Sequence, residues 1–249
     1  MFERRRRILR EARKLLVQRG LEGFTFRELC KNADVAQRTI YNAFGGKERV
    51  MAMAIRQYYD QFVESIPHAF TAQTLDGVLE QLIYTHVRNG DIKNYTKAVI
   101  ALYNSPTADP EIREAMRQIG VEGLTPLITM MKAQGKIERG IDIDELIDNL
   151  TNVQYMILSG WCLGSIEDSR FVFRMIEAFL LMASSVTKGT ARAEIVERLR
   201  DLHGPRTWFD AAVANARASL RQAGIRPPLV RDPADPDSPS ASDPKMARP

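Results

Sequence analysis

Side chains that can bond to the edges of DNA bases are gathered between residues 36 and 44. Arg38 can donate a pair of hydrogen bonds to guanine, and Gln37 and Asn42 can make paired bonds with adenine. Thr39 offers a methyl group to thymine or a hydroxyl to phosphate, and Tyr41 offers a hydroxyl to phosphate. These side chains are typical of a surface that reads double-stranded DNA.

Apolar spacing places these side chains on one face of a short helix. Ile40 and Phe44 stand four residues apart and are expected to face the core, which leaves the polar side chains outside. A preceding short helix is predicted because Thr25 and Glu28 fit a capping box. A tight turn at Asp34 joins the two helices, since Asp tolerates a left-handed backbone. Together they predict a helix-turn-helix, whose second helix enters the major groove.

A phosphate-binding position is predicted just after this motif. Gly45 and Gly46 break the third helix, and a fourth helix starts near Lys47. The lysine charge and the free backbone N–H groups of a helix N-terminus both attract phosphate.

Charge is unevenly distributed along the 249 residues. Residues 1–50 carry 13 Lys/Arg and 6 Asp/Glu, a net +7, whereas the rest carries 22 Lys/Arg and 25 Asp/Glu, a net −3. A basic head on a slightly acidic body suits a polyanionic partner at the head. The alternative, a solvated basic helix that binds nothing, stays open on charge alone.

The N-terminal segment, over roughly residues 5–60, resembles the TetR family of bacterial regulators. The resemblance is carried by residues 20–25, by Glu28-Leu29 with Ala33-Asp34-Val35, and by residues 39–48 (TIYNAFGGKE). It implies a dimer of all-helical subunits, with a DNA-binding head and a body that usually binds an inducer. By resemblance, the DNA contacts are Thr25, Gln37, Arg38, Tyr41, Asn42 and Lys47.

Three residues depart from the family pattern. Asp34 replaces the usual turn glycine, Ala36 replaces the usual serine cap before the recognition helix, and Gly46 stands where a serine cap is common. The phosphate contacts of such serines are therefore not expected here. Thr25 as a cap alone and Tyr41 as a packing residue alone remain alternatives to their contact roles.

The fold class predicted for the whole chain is all-α, because nearly every segment has helical periodicity. The predicted domains are a helix-turn-helix head over residues 1–48, with helix four at about 47–66 as a link, and a regulatory and dimerisation domain over 67–224. A disordered tail is predicted over 225–249, which holds 7 of the 12 prolines. Two long helices are predicted at 142–163 and 168–187, and shorter ones at 191–202 and 208–222.

A homodimer is expected from the resemblance, which implies that the two long helices pair with their copies in a partner. Gly160 and Gly164, four apart, would let helix backbones approach closely. Close packing inside one subunit explains the same spacing equally well. The predicted interface residues are Val153, Ile157, Gly160, Gly164, Val172, Met175, Phe179 and Met182.

A pocket for a small apolar or aromatic inducer is predicted between helices of residues 75–163. Methionine and aromatic side chains adapt to varied ligands, although each is also an ordinary core residue. His86 is either a polar lining group or a satisfied core histidine. The predicted lining is His86, Tyr95, Tyr103, Met116, Met130, Met131, Tyr155 and Trp161.

Other functions are disfavoured by what the sequence lacks. The three histidines are dispersed, and no zinc-binding cysteine pattern, nucleotide-binding loop or serine elbow is present, so neither an enzyme nor a metal or cofactor is expected. No secretory signal or membrane-spanning stretch is evident, which favours a cytoplasmic protein. We therefore expect a ligand-responsive repressor acting on a palindromic operator. The alternatives are an architectural DNA binder and a regulator without a small-molecule inducer.

Overall fold

The computed structural model describes residues 2–20, 23–65, 73–106 and 110–222, and twelve helices account for most of that part of the chain. The predicted all-α fold class is confirmed. The helices are α1 Phe2–Arg19, α2 Phe26–Asn32, α3 Gln37–Phe44, α4 Lys47–Ser65, α5 Leu75–Asp91, α6 Lys93–Tyr103, α7 Pro110–Glu122, α8 Thr125–Ala133, α9 Ile143–Cys162, α10 Asp168–Val186, α11 Gly189–His203 and α12 Thr207–Gln222.

The first two helix boundaries of the helix-turn-helix have the predicted geometry. Thr25 Oγ1 accepts a hydrogen bond from the Glu28 backbone N–H at 3.2 Å, which caps α2. Asp34 has a left-handed φ of +48°, and the Val35 N–H reaches back to the Cys30 carbonyl at 3.1 Å. This is the hydrogen bond of a Schellman motif, here with Asp where glycine is usual. The prediction of a tight turn at Asp34 is confirmed.

Helix α3 is held in place by its apolar face. Ile40 and Phe44 are both buried, and Ala36 begins the helix without a side-chain cap. Gly45 ends the helix in a left-handed conformation, φ +84°, as its glycine type predicted. Because α3 spans only eight residues, packing of these two side chains must supply much of its stability.

The interruption at Pro126 separates two helices. Helix α7 ends at Glu122, and α8 begins at Thr125 with the proline in its first turn, where a missing N–H costs nothing. Leu124 occupies the N-cap position without a side-chain cap hydrogen bond, and the Thr125 hydroxyl donates to the Val121 carbonyl at 2.9 Å.

The four C-terminal helices agree with their predicted ranges to within two residues. Asp142 caps α9 by accepting from the backbone N–H groups of Asp144 and Glu145 at 2.9 and 3.1 Å. Helices α9 and α10 pack against each other, and α11 and α12 cover α10 and α5. Their apolar faces form the main core of the body.

The core of the head extends into the body. Ile92, Tyr95, Ala98 and Leu102 belong to the same buried cluster as the apolar faces of α1, α3 and α4, as does Met116 of α7. Helix α4 therefore connects the helix-turn-helix to the helices that follow it. A change in the packing of α6 or α7 can reach the head through this shared core.

Two predictions fall on residues outside the described ranges: the disordered tail at 225–249 and the domain boundary at residue 67. Among the helices that the structure describes, none combines the length and apolarity needed to cross a bilayer.

Candidate nucleic-acid interface and interior cavity

The outward face of α3 carries most of the predicted base-reading side chains. Gln37, Arg38 and Asn42 are exposed, while Ile40 on the opposite face is fully buried. Since α3 begins at Gln37, its N-terminal turn presents two of these groups where a recognition helix meets base edges. The structure thus gathers these three side chains on one accessible surface.

The hydroxyl-bearing members of the predicted set have mixed environments. Tyr41 is 47% exposed, and its ring lies against Phe26 with the two ring centres 5.1 Å apart. Thr39 is half-buried. Thr25 is exposed and uses its oxygen as the α2 cap, so its own hydroxyl proton remains able to donate. Packing and a DNA contact are compatible at Tyr41 because only part of its ring is covered.

Lys47 stands at the first residue of α4, as predicted. It is half-buried, and its Nζ lies 5.7 Å from the ring centre of the buried Phe24. The aromatic face holds the ammonium group close to the unpaired N–H groups of the α4 N-terminus. Both features are positive and suit a phosphate oxygen.

The arginine run of α1 has a structural role that its composition did not reveal. Arg5 Nη1 donates to the Ala43 carbonyl at 3.2 Å, and its guanidinium lies 4.7 Å from the Phe44 ring centre. Arg7 Nη2 donates to the Asp34 carbonyl at 3.4 Å. These arginines tie α1 to the turn before α3 and to the end of α3, and they add positive charge beside the recognition helix.

A cavity of about 130 Å³ lies inside the body. It is enclosed by α4, α5, α6, α7 and α9. Its wall is mainly apolar and includes Ile55, Phe62, Val78, Leu82, Ile92, Val99, Ile119, Leu124 and Leu158. A mostly apolar cavity with a few polar groups is the usual form of a small-molecule site.

Several polar groups in this wall are deeply buried. Arg88 is only 2% exposed, and its Nε and Nη2 donate to the Tyr58 hydroxyl at 3.2 and 2.9 Å. The Tyr95 hydroxyl and His86 Nε2 are buried with no hydrogen-bond partner among the described residues. Burial lowers the pKa of His86 to about 4, an effect opposed by the neighbouring Gln154, and burial raises the pKa of Tyr95. His86 is therefore neutral near pH 7.

Three of the eight predicted pocket residues line this cavity: His86, Tyr95 and Tyr155. The other five, Tyr103, Met116, Met130, Met131 and Trp161, are not among its lining residues. Tyr103 stacks on Tyr155 with the ring centres 4.2 Å apart, and Trp161 stacks on Phe171, also at 4.2 Å. Met130 and Met131 pack at the main core of the body, and Met116 in the core of the head.

Sequence reasoning missed Arg88, Tyr58 and Gln154 as cavity residues. An arginine is almost never fully buried, so its type predicts an exposed position. Arg88 stands only two residues from His86, so helical periodicity places them on different faces and gave no signal that both line the cavity. Only the position of α4 shows that Tyr58 meets it.

The predicted interface residues fall into two groups that differ in how deeply each side chain is buried within a single chain. Ile157, Met175 and Phe179 are buried inside the protomer, whereas Val153, Val172 and Met182 are half-buried. Buried side chains cannot contribute surface to a partner without rearrangement. The exposed apolar side chains of this region are instead Met156 at 65%, Leu163 at 85% and Leu181 at 53%, none of which was predicted.

The two glycines at the end of α9 have explanations inside one chain. A Cβ on Gly160 would lie 3.1 Å from Ser165 Oγ and 3.2 Å from Ile166 Cδ1, so the turn after α9 packs closely against this residue. Gly164 has φ +84°, and its N–H bonds to the Trp161 carbonyl at 3.1 Å. Their spacing is therefore accounted for by a Schellman motif that ends the helix.

Comparisons with known proteins agree with this architecture. Residues 8–53 match the family model described as bacterial regulatory proteins, tetR family. A TetR-family transcriptional regulator from a Rhodococcus species has a similar structure, with a TM-score of 0.57 and 17% identity, covering 73% of this chain and 99% of that one. None of the curated proteins matches the chain in sequence.

Two further solved structures share the fold. SmeT, the repressor of the Stenotrophomonas maltophilia efflux pump SmeDEF, has a TM-score of 0.54 and 16% identity, covering 75% of this chain and 92% of that chain. RolR in complex with the ligand resorcinol has a TM-score of 0.57 and 16% identity, covering 79% and 94%. The predicted TetR resemblance is confirmed over residues 8–53, which match the model of the tetR family of bacterial regulatory proteins.

Proposed function

We propose that this protein is a homodimeric repressor that binds a palindromic operator and releases it when a small molecule occupies the body cavity. The DNA-reading part of the proposal is supported by the separation of polar and apolar side chains on opposite faces of α3. Gln37, Arg38 and Asn42 lie exposed on one face, while Ile40 and Phe44 anchor the other in the core. Base-edge donors and acceptors held on a firmly packed helix are what sequence reading requires.

The homodimer is supported by the exposed apolar side chains of α9 and α10. Met156 and Leu181 are large, solvent-exposed and located on the two long helices, and Leu163 follows directly after α9. Burying them against a second copy would remove apolar surface from water. Two copies are also what a palindrome needs, since each head reads one half-site and the half-sites lie about 34–36 Å apart.

Ligand response is supported by the dual position of α4. Lys47 lies at its N-terminus beside α3, whereas Ile55, Tyr58 and Phe62 of the same helix line the cavity. A molecule that displaces α4 in the cavity would move Lys47 relative to the recognition helix. The structural neighbour RolR is described with a bound ligand, which agrees with a ligand-binding role for this fold.

Selection of bound sequences from a random duplex pool, at near-physiological salt, tests the proposal. Enrichment of a palindrome would support a dimeric, sequence-reading regulator. Binding without enrichment would favour the architectural alternative, because a specific regulator prefers its operator by about 10³-fold or more. Analytical ultracentrifugation of the DNA complex then measures the number of protein chains bound per site. Two chains are expected, and one chain would contradict the dimer.

Two variants separate base reading from phosphate binding. Arg38→Ala should lose about 1–3 kcal/mol of preference for the operator over other sequences. Lys47→Ala should weaken binding to every duplex and reduce the salt dependence by about one phosphate contact. Arg192→Ala, which removes an exposed arginine from α11, is the matched control and should change neither property.

A further inference from the structure

The chemistry of the cavity wall specifies the kind of molecule that it can hold, which deepens the proposed ligand response and rests on it. The cavity volume of about 130 Å³ is close to that of an engineered protein cavity of about 150 Å³ that binds benzene. A molecule with roughly one ring therefore fits its apolar part. The polar groups of the wall decide what that ring must carry.

The hydrogen-bonding role of His86 follows from its neighbour Asn89. The Asn89 amide nitrogen lies 3.3 Å from His86 Nδ1. An amide nitrogen only donates, so Nδ1 accepts and the ring proton of the neutral histidine is on Nε2. His86 Nε2 is buried and has no hydrogen-bond partner among the described residues. The histidine therefore presents an N–H donor in the wall of the cavity, beside the Gln154 side chain.

Two other lining residues have buried polar atoms that meet no hydrogen-bond partner in the described ranges. The Gln154 amide nitrogen is a hydrogen-bond donor, and the Tyr95 hydroxyl can donate as well. Buried donors without acceptors cost free energy that an incoming acceptor would recover. Because three such donors lie on α5, α6 and α9, the wall favours a ligand that accepts hydrogen bonds over a ligand that donates them.

Charge in the wall favours an anionic acceptor. Among the lining residues that the structure describes, Arg88 carries the one formal charge, and none is Asp or Glu. The Tyr58 hydroxyl accepts hydrogen bonds from Arg88, which leaves its own proton to donate. A buried guanidinium attracts an anion and repels a cation far more strongly than it would in water.

We propose that the cavity binds a small, apolar, one-ring molecule that carries an anionic oxygen group, a carboxylate or a phenolate. The ring lies among the apolar side chains of α4, α5 and α7. The oxygen atoms meet the donors of His86, Gln154 and Tyr95, with Arg88 and Tyr58 supplying positive charge and a further O–H. A cationic or purely apolar molecule of the same shape lacks these interactions.

Calorimetric titration of the full chain without DNA tests this with three acids: benzoate, phenylacetate and 3-phenylpropanoate. Each acid is compared with its primary amide and with an amine of the same length, and phenol and phenolate are compared across pH 9–11. At least one acid should bind about tenfold or more tightly than its amide, and its amine should show no binding. Equal binding of the amine, or no binding by any acid or phenolate, would overturn the proposal.

Variants at the unpartnered groups locate the acceptor. Tyr95→Phe removes a hydroxyl that has no hydrogen-bond partner among the described residues, so the melting temperature without ligand should stay the same or rise. Gln154→Leu also removes the amide that neighbours His86, so it serves as a test of ligand binding alone. Each should weaken acid binding by about fivefold or more. Tyr103→Phe, whose ring stacks on Tyr155 but is not in the wall, is the control and should leave affinity unchanged. Unchanged affinity in both cavity variants would show that the acid binds elsewhere.

The outcome is separable from that of the proposed function. If an acid binds but does not release the selected operator, the ligand class stands and the proposed regulation is wrong. If the operator is found but no acid binds, the DNA-reading function stands and the ligand class is wrong.

Discussion

The recognition helix and the body cavity hold their polar groups in opposite ways. Around α3 the polar side chains face water, and the apolar side chains beneath them are packed in the core. In the cavity, polar atoms of His86, Tyr95 and Gln154 are buried and have no hydrogen-bond partner in the part of the chain that the structure describes. The first arrangement is stable without DNA, whereas the second has a cost that only an entering molecule would offset.

The two regions therefore differ in whether the same side chains serve both folding and binding. In the head, the residues that fold the motif and those that would contact DNA are different side chains on opposite faces of one helix. In the body, the groups that would contact a ligand are themselves part of the interior. Substitutions on the exposed face of α3 should therefore change DNA binding and leave stability unchanged, whereas removal of an unpartnered polar atom in the cavity should weaken ligand binding without lowering stability.

The largest effect is expected for Ile40→Ala. Its side chain is fully buried under α3, so truncation should cost about 2–5 kcal/mol of unfolding free energy and reduce DNA binding by loosening the motif. Urea unfolding followed by circular dichroism measures this. Gln37→Ala, on the exposed face, is the control and should change stability by less than about 0.5 kcal/mol. Equal losses in both variants would contradict the separation of faces.

Lowering the pH should reduce the free energy of unfolding by up to about 3 kcal/mol through His86. Its pKa falls from 6.5 to about 4 on folding because of burial, so the unfolded chain takes up a proton that the folded protein excludes. This contribution of His86 to the free energy of unfolding is fully present above pH 6.5 and is lost as the pH falls toward 4. Urea unfolding at pH 7, 6 and 5 should show a shallower loss in His86→Leu than in the wild type. Parallel loss in the two proteins would argue against a buried neutral histidine.

A matched pair of glycine substitutions tests how tightly the body is packed beside the cavity. A Cβ on Gly120 would lie 2.5 Å from Thr151 Cγ2, so Gly120→Ala should cost about 1–3 kcal/mol. Gly90→Ala meets nothing within 4 Å in helix α5 and should stabilise the protein by about 0.5 kcal/mol. Thermal unfolding compares them, and a gain from Gly120→Ala would mean that α7 and α9 separate easily.

The smallest effect is expected at the turn of the helix-turn-helix. Asp34 has a left-handed backbone, so Asp34→Gly should raise stability by less than about 1 kcal/mol. Asp34→Ala should lower it, because alanine gains no local hydrogen bond in that conformation. Both variants keep the carbonyl that Arg7 contacts. If glycine lowers the melting temperature, the aspartate side chain must stabilise the turn.

Local signals in the sequence were sufficient for the helices and for the exposed polar face of α3. The cap at Thr25, the turn at Asp34 and the break at Gly45 each depend on a few adjacent residues, and the structure confirms all three.

Long-range contacts decided what the sequence left open. Gly160 was compatible with a dimer contact or with packing in one chain, and the nearness of Ser165 and Ile166 accounts for it within one chain. Exposure of Met156 and Leu163 could not be predicted, because their type favours burial and the positions of neighbouring helices determine which face stays open.

The sequence by itself determined an all-helical chain with a basic, TetR-like DNA-binding segment, because helix period, caps and turns depend on neighbouring residues. The tertiary structure alone decided that Arg88, Tyr58, His86 and Gln154 meet around one cavity with α4 in its wall. These residues come from three helices, and no local pattern records the distance between side chains that are separated by up to about a hundred positions along the chain.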